Sequence, residues 1–307
     1  GYPVRLPLDL AVVFSANPED DTARGKIVTP LTDRIGSEIR THYPQTLAEA
    51  VAITRQEARL PPPAPDSGRE LVMPEFVREV IEAIAFAARE DKRVDQRSGV
   101  SQRLPIACLE LTAANAERRS LLRGPGGEHS GDRRGEHRGD HPGDQPIVAR
   151  ILDVHAALPA LTGKLELEYE GELRGGDTVA AELVAKAIGR IFAQYFPAHA
   201  TSPELQAVVQ WFDLGGSLQL SDDGGTAENL AQIRQIQGFE EQCRALNLGH
   251  RPPPALRLAA AEFVLEGLCA HKRIRRGKER GYHAESPARP EAAHGQPGPQ
   301  IRRRPLN

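Results

Sequence analysis

The chain has 307 residues, of which 39% are hydrophobic and 5% aromatic, and its formal net charge is −3. This length favours two domains, and the small hydrophobic share indicates that part of the chain is disordered. No stretch approaches the roughly 18 apolar residues of a membrane helix, which argues against a membrane partner. Cys108, Cys243 and Cys269 lack metal-ligand spacing, so we interpret them as core residues of a reduced, cytoplasmic protein without a metal site.

The first predicted element is a short buried strand that ends in polar residues. The apolar run from Leu10 to Phe14 predicts a strand covered on both faces, as in a parallel sheet. Ligands of open α/β sheets bind beyond the carboxyl ends of the strands, where Asn17 follows. Asn17 is therefore a candidate to contact a bound group. The alternative is a simple residue of the strand-end turn.

A second candidate, Arg34, closes the next segment. Thr29 and Pro30 predict the start of a short helix, as its cap and first turn. Apolar and polar residues then alternate over 37–43, which predicts the last strand of the sheet. From this pattern alone, Arg34 is either a functional cation or a solvated helix charge.

The strings SANPED, RGKIVTPLTDRIG and EIRTHYP together resemble the segment from sensor 1 to the arginine finger of AAA+ ATPases. The similarity is to the magnesium-chelatase ATPase-subunit branch and its MoxR-like relatives. It implies that Asn17 orients the water that attacks the γ-phosphate. It also implies that Arg34 enters the nucleotide site of a neighbouring subunit in a homo-oligomeric ring. Such an arginine is worth roughly 10³ to 10⁵ in the rate of GTPases.

The same resemblance implies an α/β plus all-α fold. This fold is the C-terminal part of an AAA+ parallel-sheet core, followed by a helical lid and a helical extension. Residues 1–60 would be the remnant of the core, and Thr46 with Glu49 predicts a capping box for a helix that runs to about Arg59. Three consecutive prolines and a later glycine predict a linker over 61–73.

The lid is predicted over 74–123 as two helices joined by a basic turn. Apolar residues at helical spacing predict a helix over 74–91, and a second helix over 102–122 with Ser101 as its cap. Between them, Gly99, Ser101 and Arg103 match the sensor-2 motif G-x-S-x-R of the family.

The resemblance assigns Arg103, with Ser101 beside it, to the γ-phosphate of the nucleotide bound in its own subunit. An arginine at a helix start adds its charge to amides that already favour anions, yet it opposes the helix dipole. The unfavourable placement supports a functional interpretation over a solvated surface charge.

Residues 124–146 form a low-complexity insertion. The unit Gly-Glu-His-x-Gly-Asp occurs at 127–132 and again at 135–140. Such a composition cannot bury a core, so we predict a flexible segment. Its histidines could take up divalent metal weakly, but a solvated linker is the favoured interpretation.

Residues 147–270 are predicted to be helical, with helices over 151–161, 179–196, 203–214, 228–246 and 254–270. The alternating segment 163–171 suits a strand or a charged helix. The aromatic side chains of Tyr195, Trp211 and Phe212 have the spacing of core residues on a helix face, so they are not interpreted as a base-stacking platform.

The last segment, 271–307, has ten Lys and Arg against three Glu, which leaves about −10 for the rest of the chain. We predict a disordered tail that binds an acidic partner, or nucleic acid without sequence preference. Nucleic-acid binding is not expected elsewhere.

The sequence contains no G-x-x-x-x-G-K-[ST] phosphate loop and no acidic strand end of the kind that holds Mg²⁺. We therefore expect the C-terminal portion of a longer protein, whose missing part supplies the main ligands for ATP and Mg²⁺, and no ATP hydrolysis by the chain alone. Three functions remain open: a magnesium-chelatase-like motor with chelatase partner subunits, a MoxR-like chaperone or transcription-regulating ATPase, and a non-catalytic interaction protein.

Overall fold

The computed structural model of the chain describes residue 3 and residues 11–15, 34–60, 69–122, 146–198, 202–220, 225–277 and 281–285. Helices dominate these parts, and eleven α-helices can be numbered in chain order within them. They are α1 Leu47–Glu57, α2 Glu75–Arg89, α3 Arg103–Leu122, α4 Ile151–Ala156, α5 Leu158–Thr162, α6 Tyr169–Arg174, α7 Gly176–Tyr195, α8 Pro203–Asp213, α9 Thr226–Ile233, α10 Phe239–Gln242 and α11 Pro254–Ala270. A 3₁₀ turn, Cys243–Leu246, follows α10.

Two small sheets accompany the helices. Strand β1 (Leu71–Val72) pairs in parallel with β2 (Ile147–Val148), with Leu71 opposite Ile147. Strands β3 (Leu218–Gln219), β4 (Ile274–Arg276) and β5 (Gly281–Ala284) form an antiparallel sheet in the order β3-β5-β4. The β1–β2 and β3–β5 pairings join segments that are far apart in the chain, whereas β4 and β5 are close neighbours in sequence.

The core centres on three helices, with α7 packed between α2 and α11. The rings of Phe76 on α2 and Phe263 on α11 stack at 4.9 Å, and Phe192 on α7 meets Phe263 edge-on at 6.2 Å. Gly267 of α11 makes this approach possible, because a Cβ there would lie 2.2 Å from Cδ2 of Phe192. Helix α11 is buried nearly all round, as expected of a central core helix.

The end of α3 is fixed beside β2. Arg119, in the last turn of α3, donates from Nη2 to the carbonyl oxygen of Val148 at 2.9 Å and to Asp153 at 2.9 Å. The end of α3 and strand β2, which flank the low-complexity insertion, are therefore held together. Of the insertion predicted over 124–146, residues 124–145 lie outside the described residues.

The two strands predicted over 10–14 and 37–43 are absent from the described residues of the N-terminal part. Residues 11–15 are irregular and exposed, with 93% of Val13 accessible, and residues 37–43 are irregular as well. A strand buried on both faces needs neighbouring strands and covering helices. The described part of the chain places no strand beside either segment, so the backbone groups have no ladder to join. Leu10 and residues 16–33 lie outside the described range.

Several helix predictions are confirmed. The capping box of α1 is present, since Thr46 Oγ1 accepts from Glu49 N and the Glu49 carboxylate accepts from Thr46 N, both at 3.2 Å. Helices α2, α3, α7, α8 and α11 lie within a few residues of their predicted ranges. The region over 151–161 is split into α4 and α5.

Three predictions in the C-terminal half are corrected. The helix predicted over 228–246 is interrupted at Gly238, whose φ of 76° is left-handed, so α9 and α10 are separate. The segment 163–171 combines both alternatives: Leu167 forms one bridge to Val94, and α6 begins at Tyr169. The first part of the tail predicted to be disordered over 271–307 instead supplies β4 and β5, while residues 278–280 and 286–307 lie outside the described residues.

The predicted linker over 61–73 is also corrected in part, because its last residues form β1 and a buried Met73. Burial of Cys108 and Cys243 agrees with their prediction as core residues, and Cys269 is half-buried. Burial raises the pKa of Cys108 to about 12, as expected of an inert thiol. Among the aromatic residues, Phe212 is buried, while Tyr195 and Trp211 are half-buried against the core.

Candidate functional site

The residues predicted from the resemblance fall into two segments. Asn17 lies outside the described residues. Arg34 occupies an exposed turn, and its segment continues in an irregular path to Tyr43. Ser101 and Arg103 are exposed at the beginning of α3. The structure connects these two segments through Tyr43.

Tyr43 docks on the loop that precedes α3. The backbone N–H of Val100, a buried residue, donates to the Tyr43 hydroxyl at 3.1 Å. Gly99 has a φ of 68°, and a Cβ at this position would lie 2.4 Å from the same hydroxyl oxygen. Glycine is therefore needed at position 99 for two reasons: its backbone is left-handed, and a side chain would occupy the space that Tyr43 fills.

Arg89, at the end of α2, holds both partners of this contact. Its guanidinium carbon lies 4.1 Å from the centre of the Tyr43 ring. Its Nε donates to the carbonyl oxygen of Val100 at 3.0 Å, and its Nη2 donates to Gln102 Oε1 at 3.2 Å. Burial lowers the pKa of Arg89, and electrostatic interactions with Tyr43 and Glu82 offset part of this effect. The Arg89 guanidinium thus contacts the Tyr43 ring and the Val100 carbonyl oxygen at once, and these two contacts order the loop.

Gln102 joins the start of α3 to the two preceding helices. Its Nε2 donates to Thr54 Oγ1 on α1 at 3.1 Å and to Glu82 Oε2 on α2 at 2.8 Å. Thr54 and Glu82 are themselves buried. We call Tyr43, Thr54, Glu82, Arg89 and Gln102 the Gln102 network.

Glu82 is the electrostatically costly member of the Gln102 network. Burial raises its pKa, and the hydrogen bonds from Thr54 and Gln102 offset only part of this effect. Its Oε1 is buried without a hydrogen-bond partner, and so is Nη1 of Arg89. A buried network with two unsatisfied atoms is expensive to maintain, which is common where a site must hold a defined geometry.

Arg103 follows Gln102 directly and is the first residue of α3, a helix of 20 residues. Its side chain is exposed and forms no hydrogen bond or ion pair with any residue that the structure describes. The first turn of α3 contains no acidic residue. The helix start and Arg103 thus present unneutralised positive charge beside a fixed loop, an arrangement that favours an anion.

The prediction that Ser101 caps α3 through its side chain is wrong. The carbonyl oxygen of Ser101 accepts from Leu104 N at 3.1 Å, but its hydroxyl has no hydrogen-bond partner within the described ranges. Because α3 begins at Arg103, Gln102 occupies the position before the helix, and its side chain is committed to Thr54 and Glu82. The Ser101 hydroxyl remains exposed beside Arg103.

Sequence reasoning missed the Gln102 network. A signal was present in α2, where Glu82 and Arg89 are seven residues apart and so share a helix face. Two charged residues on the apolar face of an amphipathic helix indicate a buried polar contact. Their partners Tyr43, Thr54 and Gln102 could not be inferred, because they come from three other segments.

A second buried polar cluster is structural. Arg150, 2% exposed, donates to both carboxylate oxygens of Glu262 on α11, at 2.9 and 3.3 Å. Asp153 accepts from the backbone N–H of Arg150 and from Arg119. These groups neutralise one another and tie β2 and α4 to α11.

The described parts of the chain contain neither a metal-ligand cluster nor a membrane-spanning helix. No group of three or more His, Cys, Asp or Glu side chains is arranged to hold a metal ion. No helix has the length and apolarity needed to cross a membrane.

Comparison with known proteins adds no relative. No family model matches the sequence, no curated protein matches it, and no solved structure matches the fold.

Proposed function

We propose that this chain supplies the sensor-1, arginine-finger and sensor-2 elements of an AAA+ ATPase of the magnesium-chelatase type. In this proposal, it works in a homo-oligomeric ring that couples ATP hydrolysis to the remodelling of a protein client, with insertion of a metal ion by chelatase partner subunits as the specific use. The proposal rests on the resemblance carried by SANPED, RGKIVTPLTDRIG and EIRTHYP and by Gly99, Ser101 and Arg103.

One observation supports it most. The segment that contains Arg34 and the loop that contains Gly99 and Ser101 are separated by more than fifty residues, and they meet through Tyr43. A motor that reads the nucleotide state with Arg103 and acts on its neighbour with Arg34 needs such a contact between the two segments. Unrelated surface charges would not require it.

The start of α3 fits the phosphate end of a nucleotide. Arg103 has no polar partner among the described residues, and the first turn carries no acid, so an arriving phosphate would displace no internal ion pair. Gln102 would hold the backbone below Arg103 in place through its bonds to Thr54 and Glu82. Mg²⁺ would neutralise phosphate charge, but the sequence holds no phosphate loop, so the main ligands for Mg²⁺ and ATP would come from elsewhere.

Each of the three polar residues would then act on a different part of the reaction. Asn17 would orient the water that attacks the γ-phosphorus as the bond to the β-phosphate oxygen breaks, which releases ADP and phosphate. Arg103 would hold the γ-phosphate in its own subunit. Arg34 would neutralise the charge that spreads over the equatorial oxygens in the adjacent subunit.

The test uses mixed rings in an assembly that provides the phosphate loop, whichever polypeptide carries it. We expect Arg34→Ala to lower ATP turnover by roughly 10³ or more, and Arg103→Ala by roughly 10². Mixing Arg34→Ala subunits with subunits that lack a working phosphate loop should restore part of the activity, because some interfaces combine an intact finger with an intact pocket. The equivalent mixture with Arg103→Ala should stay inactive.

Arg59→Ala is the matched control. Arg59 is exposed, and its guanidinium has no polar partner within the described ranges, so turnover should be unchanged. A normal turnover in the Arg34→Ala protein would refute the proposal. Equal rescue in both mixtures would refute the assignment of Arg103 to its own subunit.

A further inference from the structure

A concave surface lies in the C-terminal half, and its lining includes none of the residues assigned to the proposed nucleotide site. It is a cavity of about 830 Å³ between α9, the 3₁₀ turn and the first two turns of α11. The loop 247–252 closes one side. This volume falls in the range of roughly 300–1,000 Å³ that is usual for small-molecule sites.

The rim of this cavity is strongly cationic. Arg244, Arg251 and Arg257 contribute to its lining together with His250, and Glu241 is the one acidic residue among the described residues of the lining. Arg244 and Arg251 are exposed, and their side chains form no hydrogen bond or ion pair within the described part of the chain. Neither pairs with Glu241. In a chain with a net charge of −3, Arg244 and Arg251 thus give this rim a local positive charge that attracts anions.

The loop is shaped in a way that presents these groups. Asn247, Gly249 and Arg251 all have left-handed backbone conformations, with φ of 50°, 81° and 56°. A left-handed arginine is uncommon, and it places Arg251 on the cavity wall. The start of α11 adds the positive end of its dipole, with no acid in its first turn.

The floor of the cavity is apolar. Leu230 and Ile233 of α9 and Ala261 of α11 line it, and all three are buried. An inorganic anion would use only the rim and would leave this floor covered by water. A ligand that combines an apolar body with an acidic group would use both surfaces.

We propose that the cavity binds a small organic anion, an apolar or aromatic body that carries a sulfonate, phosphate or carboxylate group. The acidic group would pair with Arg244 and Arg251, and the body would cover Leu230 and Ile233. Such a site is separate from the nucleotide site proposed above and does not depend on it.

The probe is 8-anilinonaphthalene-1-sulfonate, an aromatic anion whose fluorescence rises when it leaves water. We expect one saturable site on the 307-residue chain. The double variant Arg244→Gln/Arg251→Gln should raise the dissociation constant by about tenfold or more, because each arginine supplies a charge-assisted hydrogen bond. The neutral analogue N-phenyl-1-naphthylamine should bind at least tenfold more weakly to the unmodified chain, and pyrophosphate should compete poorly.

The matched control is Arg59→Gln/Lys164→Gln, which removes the same two charges from exposed side chains that have no polar partner among the described residues. Its affinity for the probe should stay within twofold of the unmodified chain, as should that of Arg103→Ala. Equal loss in both double variants, equal binding of the neutral analogue, or the lack of a saturable site would overturn the proposal. Strong competition by pyrophosphate would replace it with a simple anion site.

Discussion

At the scale of single residues, the contact between Tyr43 and the loop at Gly99 and Val100 is the most informative feature. One hydroxyl accepts a hydrogen bond from a buried backbone N–H and fills the space where a Cβ would stand on Gly99. The effects of substitutions at Tyr43 and Gly99 on the free energy of unfolding should therefore be coupled. A loop that simply passed close to Tyr43 would not show this coupling.

A double-mutant cycle tests this coupling. Tyr43→Phe should lower the free energy of unfolding by about 1 kcal/mol, because Val100 N–H loses its acceptor. Gly99→Ala should cost about 2 kcal/mol, from its left-handed backbone and from the displacement of Tyr43. The double variant should lose about 1 kcal/mol less than the sum, since the displaced hydroxyl is already absent. Urea denaturation of the four proteins measures this, and strict additivity would argue against the contact.

Glu82 predicts a dependence of stability on pH. Burial raises its pKa, so the folded chain binds this proton more tightly than the unfolded chain does. The free energy of unfolding therefore falls as pH rises through the folded pKa. Glu82→Gln has no charge to bury and can still accept from Gln102. We expect it to be more stable than the unmodified chain by about 1 kcal/mol near pH 8, and this gain should vanish in acid, below the unfolded pKa.

Glu49→Gln provides a control of opposite sign. Backbone hydrogen bonds from Thr46 and Gln45 lower the pKa of this exposed carboxylate. Its stabilising effect is present above the unfolded pKa and is lost as pH falls through the folded pKa. Glu49→Gln should therefore destabilise the chain at neutral pH and have less effect in acid. Thermal unfolding of both variants across pH separates the two behaviours, and parallel curves would contradict the assignment.

At the scale of elements, the crossing of α7 and α11 depends on small residues at two positions. Gly267 of α11 faces the Phe192 ring, whose Cδ2 and Cγ would lie 2.2 and 2.3 Å from an added Cβ. Gly189 of α7 faces Ala270, where the nearest atom would be 3.3 Å away. The helices therefore have almost no clearance at one glycine and a little at the other.

Alanine at these two positions should behave differently. Gly267→Ala should destabilise the chain by about 1–3 kcal/mol, because Phe192 must leave its rotamer or the helices must move apart. Gly189→Ala should be near neutral, since the gain in helix propensity of up to about 1 kcal/mol offsets the tighter contact. Chemical denaturation compares them. If the two variants were equally stable, the close approach of α7 and α11 at Phe192 would be wrong.

At the scale of the whole molecule, helices were predictable where one face of a segment is apolar. The repeat of apolar residues is local information, and α2, α8 and α11 follow from it directly. The strands β1 to β5 have two to four residues each, too few to show an alternation. Strands β1, β2 and β3 exist because a distant partner completes the pair, as Val72 does for Val148, and a linear pattern does not contain that partner.

The candidate site was predictable to a similar extent. The positions of Ser101 and Arg103 at the start of α3 came from the sequence, while the Gln102 network depends on side chains from four segments. The strands predicted over 10–14 and 37–43 are irregular where the structure describes them, because a strand also depends on a pairing partner that the local pattern does not show. Strand formation there requires neighbours that the described chain does not place.

The C-terminal sheet predicts how much of the chain is needed for stability. Tyr282 is 2% exposed and donates to Glu266 at 2.7 Å, and Arg276 forms an ion pair with the same carboxylate at 2.9 Å. A chain that ends at Ala270 loses Tyr282 and Arg276, two of the three partners that the described residues give this buried acid, and keeps only His155. We expect a loss of about 3–5 kcal/mol in the free energy of unfolding. The melting temperature of this shorter chain should fall by roughly 10 °C. A chain that ends at Glu285 should melt close to the complete chain, and calorimetry of the three lengths would contradict this if the two truncations behaved alike.

The parallel pairing of β1 with β2 has a consequence for how the gene can change. Strand β2 is held beside β1 by the pairing of Leu71 with Ile147, and Arg119 binds the end of α3 to Val148 of β2. The segment between α3 and β2 therefore begins and ends at fixed positions. Replication slippage at the two Gly-Glu-His-x-Gly-Asp units would change the length of the segment between α3 and β2 without changing the positions of these two elements. For a flexible segment, as predicted over 124–146, each doubling of length costs only about 0.6 kcal/mol of closure entropy. Natural alleles should therefore differ in the number of these units while Arg119, Val148 and Asp153 stay the same.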